Sequence, residues 1–434
     1  MSLALIGFLT IVIMLTLIMT KKLQTLLALI IVPIIGCLVA GQGSQLGTFI
    51  TEGLQNIAPT GVMFIFAILF FGVMSDAGTF DPIVKGILKV VGKDPIKICI
   101  GTFLLAAIVH LDGSGAVTFL IAIPALLPLY QKLGMRATTL ATLVALGAGV
   151  MNMLPWGGPT LRAITSMKSD INGIFNPMLI PMAAGFIVIL VIAVFLGKAE
   201  KKRLGETLND IQLDELEQEE KTEDAALKRP KLFIVNVILI ILAVFVMLKA
   251  ILPPAAVFMI GTALALIINY PDMKVQKERV DAHAKAALMM ASMLFAAGSF
   301  IGIMQGSGML TAIAQTIVTF IPASLGGFIP ILVGVLGVPL SLVFDPDSYY
   351  YGVLPVLSQA IDMMGGDPLS VARASIAGQM TLGFPISPLT GATFLLTGLA
   401  GIDLAEHQRK TLPLAWGASI VIVIVAAVTG AIAF

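Results

Sequence analysis

The chain has little charge. Of its 434 residues only 12% are Asp, Glu, Lys or Arg, 58% are hydrophobic and the mean hydropathy is +1.01, whereas a soluble domain carries about a quarter charged residues. That shortage excludes a soluble globular protein and leaves an all-α polytopic membrane protein. Cysteine is scarce too: Cys37 and Cys99 both lie in apolar runs, which argues against a disulfide framework and a cysteine metal centre. A net charge of +1 carries no signature of nucleic acid, and none is expected as a partner. No basic region precedes the first apolar run, "MSLALIGFLTIVIMLTLIMTKK", and Lys21 and Lys22 follow it. This is the reverse of a cleavable signal peptide, so the run is expected to be the first membrane span.

Taking about 20 apolar residues as one crossing, candidate spans fall at 3–20, 23–41, 57–75, 137–155 and 174–197. After a polar stretch they resume at 231–250, 253–270, 286–305, 369–385 and 411–434. Gly72, Met74 and Gly78 match Gly302, Met304 and Gly308, each pair 230 positions apart. Pro124, Gly134 and Gly147 match Pro355, Gly365 and Gly378 at 231. A register sustained this far marks an internal repeat.

Between the third and fourth spans of each half lies a segment too polar at its centre for one crossing, 96–130 around "HLDGSG" and 325–366 around "FDPDSYYYG". Each reads as a re-entrant hairpin, preceded by an amphipathic stretch suited to the interface, 80–93 with Lys85, Lys89 and Lys93, and 310–321. Five crossings plus one hairpin make each half odd, so the second half is expected to be inverted relative to the first. The expected organisation is a first repeat over 1–197, a solvated cytoplasmic linker over 198–230 and a second repeat over 231–434. Basic residues collect on one side of that scheme: Lys21, Lys22, Lys97, Lys132, Arg136, Lys201, Lys202, Arg203, Lys274, Lys277, Arg279, Lys285, Arg409 and Lys410. The positive-inside rule then places the chain in the cell (inner) membrane with both termini outside.

Two segments break a helix at matching places, "NMLPWGGPTLRA" (152–163) and "LGFPISPLTGAT" (382–393). Paired discontinuous helices are the best sequence pointer to a transporter's substrate site, since their freed N–H groups attract anions. Asn152, Gly157, Gly158, Thr160 and Arg162 in the first break, and Ser387, Thr390 and Thr393 in the second, are the candidate substrate contacts. Arg162 is read either as facing a carboxylate or as an interface anchor. Asp112, Asp345 and Asp347 lie at the hairpin tips, where an unpaired charge costs about 2.5–3.5 kcal/mol, so they are expected to hold a cation or a proton. The alternative for each is a turn-forming Asp. His110 is a candidate proton acceptor or a structural hydrogen-bond partner. Asp76 is read as a solvated helix end, Tyr349 to Tyr351 as hairpin packing, and His283 and His407 as solvated.

At these residues the sequence resembles the citrate–divalent metal–proton symporters (the CitMHS family) of the ion transporter superfamily. The resemblance covers essentially the whole chain and rests on "LDG" at the first tip, "MNMLPWGGPT.RA" at the first break, "YYGVLPVL", "VARASIAGQ" and "NYPDMKVQKERVDAHA". It implies a homodimer of scaffold and transport domains that carries citrate bound to a divalent cation, Mg²⁺ or Ca²⁺, with protons, by an elevator motion, and no prosthetic group. The chain departs from the family pattern at Ser114, where a second acidic residue is usual, and at Gln379–Leu382, which reads "QMTL" in place of "QPxH". A proton-coupled carrier of another hydroxy- or dicarboxylate is therefore the alternative. An intramembrane aspartyl protease is disfavoured because no "GxGD" segment occurs, and a channel because the polar groups cluster at one depth.

Overall fold

The computed structural model describes residues 2–20, 22–82, 86, 92–205, 226–249, 251–319 and 323–433, and among these the regular structure is entirely helical. The first half runs through α1 (Leu3–Met19), α2 (Thr25–Val39), α3 (Leu46–Asp76), the hairpin arms α4 (Pro95–Val109) and α5 (Gly115–Lys132), the half-helices α6 (Ala137–Met151) and α7 (Gly158–Met167), and α8 (Leu179–Leu204). The chain continues with α9 (Phe233–Leu248), α10 (Pro254–Asn269), α11 (Met273–Gly306), the short α12 (Met309–Val318), α13 (Ile329–Leu340), α14 (Leu354–Met363), α15 (Pro368–Ile376), α16 (Gly391–Ala400) and α17 (Leu404–Val428). Lys85, Lys89 and most of the amphipathic stretch around them lie outside the described residues, as do 206–225 of the linker.

Several boundaries differ from the hydropathy reading for identifiable reasons. Helix α11 begins at Met273 rather than near 286, because Asp272 caps it by accepting from the Lys274 and Val275 amides at 2.8 and 3.2 Å, and neither proline nor glycine interrupts 273–297. Its 34 residues extend about 50 Å at 1.5 Å per residue, more than the ~30 Å hydrocarbon core. Its polar first turns therefore project beyond that core. Helix α8 continues to Leu204, where Gly205 turns the chain with φ 57°, and Lys201, Lys202 and Arg203 complement its carboxyl end. Nor is the whole connector solvated: the Arg229 amide donates to the Ala77 carbonyl at 2.9 Å and its Nε to the Asn269 carbonyl at 2.8 Å.

The helices pack into two groups. One joins α1, α2, α11 and α12 through Ile6, Met14, Leu29, Phe300 and Met309. The other, larger, joins α4, α6, α8, α15 and α17 through residues such as Phe103, Leu140, Ile189, Ile376 and Ile422. Outward-facing side chains are apolar, with Ile187, Phe195, Ile234 and Ile241 each at least 60% exposed, as a lipid-facing surface requires. Buried charge is paired: Glu200, fully buried, accepts from Arg136 Nε at 2.6 Å, Thr139 Oγ1 at 2.6 Å and Arg203 Nη2 at 2.8 Å.

Helices α3 and α11 approach backbone to backbone, with Gly53 facing Gly298 and Gly302 so closely that a Cβ on any of them would enter the other helix. Small residues give such helices their contact in lipid. Gly302→Leu is expected to cost at least ~1–3 kcal/mol by overpacking and to lower the melting temperature in detergent, whereas Gly417→Leu, which meets nothing within 4 Å, is expected to leave it unchanged.

Candidate functional site

The first hairpin turns at its tip through a short 3₁₀ turn, His110–Asp112, and Gly113 with φ 75°. Ser114 caps the second arm, its hydroxyl oxygen accepting from the Val117 amide at 3.3 Å. The side chain of Asp112 lies outside what the structure describes. His110 is fully buried, its Nδ1 lies 2.8 Å from Thr118 Oγ1, and its ring stacks on Phe384 at 5.9 Å. Because Thr118 Oγ1 donates to the Ser114 carbonyl at 2.8 Å, it accepts from Nδ1–H. That leaves Nε2 as an acceptor, with no hydrogen-bond partner among the described residues.

In the first break, between α6 and α7, freed carbonyls are met by side chains. Thr160 Oγ1 donates to the Met153 carbonyl at 2.8 Å and Trp156 Nε1 to the Leu111 carbonyl of the hairpin tip at 2.8 Å. Gly157 is the N-cap of α7 and Gly158 its first residue. Asn152 Nδ2 reaches across to the Met380 carbonyl in the second half at 2.9 Å, so the two breaks abut.

The second break starts earlier than the sequence indicates. Helix α15 ends at Ile376, and the chain passes through Met380 with φ 54°, its amide held by Ser341 Oγ at 2.9 Å, before α16 starts at Gly391. Thr390 Oγ1 and Thr393 Oγ1 both donate to the Phe384 carbonyl, at 2.8 and 2.9 Å, and Ser387 Oγ donates to the Ser341 carbonyl. Each of these hydroxyls keeps lone pairs with which to accept or to coordinate.

At the second tip the two aspartates divide their tasks. Asp345 closes the turn, accepting from the Asp347 and Ser348 amides at 3.0 Å. Asp347 Oδ1 instead accepts from Arg162 Nε at 2.7 Å, with both side chains about 12% exposed or less. Arg162, read from the sequence as facing a carboxylate or anchoring at the interface, faces a carboxylate that the protein itself supplies, from the other half of the chain. A π-helical turn, Ser348–Val353, follows and buries Tyr349, Tyr350 and Tyr351.

A cavity of about 260 Å³ lies beside the first tip, bounded by Gly113, Ser114 and Val117, by Trp156, by Phe64, Ala67, Ile68, Gly72 and Ser75 of α3, and by His283 and Ala286 of α11. Its lining includes residues that the sequence reading passed over. Trp156 is one of only two tryptophans and sits inside the break motif, a signal available in the sequence. Outside that lining, Gln379 and Thr381 are fully buried, their side-chain amide and hydroxyl atoms without partners among the described residues, and flank the Met380 that Asn152 grips. Three readings are corrected: His407 is fully buried and donates from Nε2 to the Pro385 carbonyl at 2.8 Å, and His283 and Asp76 are held 2.8 Å from each other, so none is simply solvated. All three lie on polar stretches that tertiary packing covers.

The chain is similar to known proteins along its whole length. A model of the CitMHS family, described as "Citrate transporter", matches residues 1–378. A protein of Bacillus subtilis (strain 168) named "Citrate transporter" is 41% identical over 432 residues, covering 100% of both chains. Another from the same organism, named "Mg(2+)/citrate complex secondary transporter", is 40% identical over 437 residues and 99% of each chain. The solved YdaH transporter of Alcanivorax borkumensis superposes with a TM-score of 0.64 at 14% identity, over 89% of this chain and 88% of that one, a likeness of fold.

The buried Arg162–Asp347 pair makes a prediction independent of transport. Arg162→Gln or Asp347→Asn alone strands a buried charge, expected to cost ~3–5 kcal/mol, while the double variant recovers most of that loss. Thermal unfolding of the four proteins in detergent checks it; additive losses would show that the two side chains do not act as a pair.

Proposed function

Since the chain belongs to the citrate transporter family, a family of multi-pass membrane transporters and not of enzymes, we propose that it takes up citrate complexed with a divalent cation, Mg²⁺ or Ca²⁺, together with protons. The observation that carries this reading is the end-to-end 40% identity with a relative named for the Mg²⁺–citrate complex. The site chemistry supports it. Chelation leaves the trianion one negative charge, and each charge entering against the membrane potential costs ~2.3 kcal/mol per 100 mV. The cargo is therefore small in charge and large in polar surface, matched to a cavity with hydroxyls, an indole and the amino-terminal end of α7 nearby. Asp112 at the tip is proposed to meet the cation or the coupling proton. Asp347 is held by Arg162 and Asp345 by its own turn, so they shape the second tip.

The proposal extends to inverted repeats, with the two hairpins entering from opposite faces, and to an elevator motion in which the hairpin-bearing group moves against α1, α2, α3 and α11. It includes a homodimer in the inner membrane with both termini outside. A second reading, another hydroxy- or dicarboxylate, is favoured by one observation: Ser114 is occupied as a neutral helix cap where the family pattern has an acid.

Uptake of radiolabelled citrate into proteoliposomes under a proton gradient, with Mg²⁺, with Ca²⁺ and with a chelator, tests the proposal. Metal-dependent uptake that falls at least tenfold in Asp112→Asn is expected. No citrate uptake with either metal would overturn the citrate assignment in favour of the second reading.

A further inference from the structure

A second cavity, of about 190 Å³, lies at the other end of α11 from the first. Gln305 lines it from the last turn of α11, whereas His283, which lines the first cavity, stands near that helix's amino end. The two residues are roughly 33 Å apart along the axis at 1.5 Å per residue. Ser166 of α7 and Ser358, Gln359 and Asp362 of α14 complete the polar lining, and no lysine, arginine, histidine or cysteine joins them. Ser166 is fully buried, and its hydroxyl has no hydrogen-bond partner among the described residues. A helical hydroxyl ordinarily turns back onto its own helix, as Thr165 does by donating to the Leu161 carbonyl at 2.8 Å. Ser166 does not, and its oxygen is left to the cavity. Asp362 is exposed at the rim, its carboxylate without an ion-pair or hydrogen-bond partner among the described residues. Ser358 gives its proton to the Pro368 carbonyl at 3.0 Å, which leaves its oxygen free to accept.

These groups select the sign of a ligand. An anion would meet the Asp362 carboxylate with no base in the lining to offset it, and an apolar ligand would leave the carboxylate and the Ser166 hydroxyl unpaired. A cation satisfies the carboxylate, the two hydroxyl oxygens and the two carboxamide oxygens together. A lining that offers oxygen and neither imidazole nor thiolate suits a hard cation. Its donors come from separate helices and its rim is exposed, so water completes the shell; Ca²⁺ accepts such irregular sets of six to eight oxygens, whereas Mg²⁺ demands a near-ideal octahedron. We propose that the second cavity is a binding site for a hard divalent cation, Ca²⁺ in preference to Mg²⁺, distinct from the cation carried with the cargo. The proposal goes beyond the transport reading and does not depend on it. Gln305 belongs to the helix group of α1, α2, α11 and α12, and Ser166 and Asp362 stand on helices packed into the larger group. An ion held between them ties the two groups together.

Equilibrium dialysis of radiolabelled Ca²⁺ against the purified full chain, without citrate and in an Asp112→Asn background that removes the carboxylate of the first tip, tests the site apart from the cargo. Adding Asp362→Asn is expected to raise the Ca²⁺ midpoint at least tenfold, and adding Ser166→Ala or Gln305→Ala to raise it several-fold. Mg²⁺ is expected to displace the label only at higher concentration than unlabelled Ca²⁺. Ca²⁺ is also expected to raise the melting temperature in detergent of the Asp112→Asn protein and not that of Asp112→Asn/Asp362→Asn. The melting temperatures without Ca²⁺ show whether each variant is folded. A Ca²⁺ midpoint unchanged by Asp362→Asn and Ser166→Ala in folded proteins, or no Ca²⁺ binding in the Asp112→Asn protein, would overturn the site. Because citrate is absent throughout, neither result bears on the citrate assignment, and failure of citrate uptake would leave the site standing.

Discussion

The rest of the structure depends on one requirement: backbone N–H and C=O groups released at membrane depth must find partners inside the protein. Two chain turns and two broken helices release them, and they are met both within a break and across long sequence distances. Asn152 supplies the Met380 carbonyl, Trp156 the Leu111 carbonyl, and Thr390 and Thr393 the Phe384 carbonyl. The side chains that stabilise the breaks are therefore the same ones that give the interior its polarity. A break with its own hydroxyls in place keeps the shape of a binding surface before any ligand arrives, and that preorganisation lowers the cost of binding.

Much of this was legible from composition alone. Proline and glycine in "NMLPWGGPT" and "FPISPLTG" announce the interrupted helices, because these residues act locally. What stayed hidden is what tertiary contact decides. The partner of Arg162 is 185 positions away and leaves no trace in either local motif. Helix α11 outruns its apolar window because an N-cap and an uninterrupted run of helix formers, not hydropathy, set its start. His283 and Asp76 look like solvated helix ends in sequence and become a paired cluster only when α3 and α11 pack at their glycines. The departure at Gln379–Leu382 was visible, but tertiary packing decides that Gln379 and Thr381 are buried without partners among the described residues.

The charges sort into two kinds. Some are neutralised within the fold, as Glu200 is by two arginines of the same half and Asp347 by Arg162 across the halves. Others are only partly matched, as where Asp76 faces both Arg279 and His283 and Arg279 Nε has no partner among the described residues. A carrier needs both kinds, since a fully compensated interior would bind nothing and an uncompensated one would not insert.

The most direct measurement is a structure of the full chain in lipid nanodiscs with saturating Mg²⁺ and citrate. The account predicts density for the complex in the cavity bounded by Gly113, Ser114, Trp156 and the α3–α11 wall, with Asp112 directed toward it. Density for the complex elsewhere, with this cavity filled by side chains, would contradict the account.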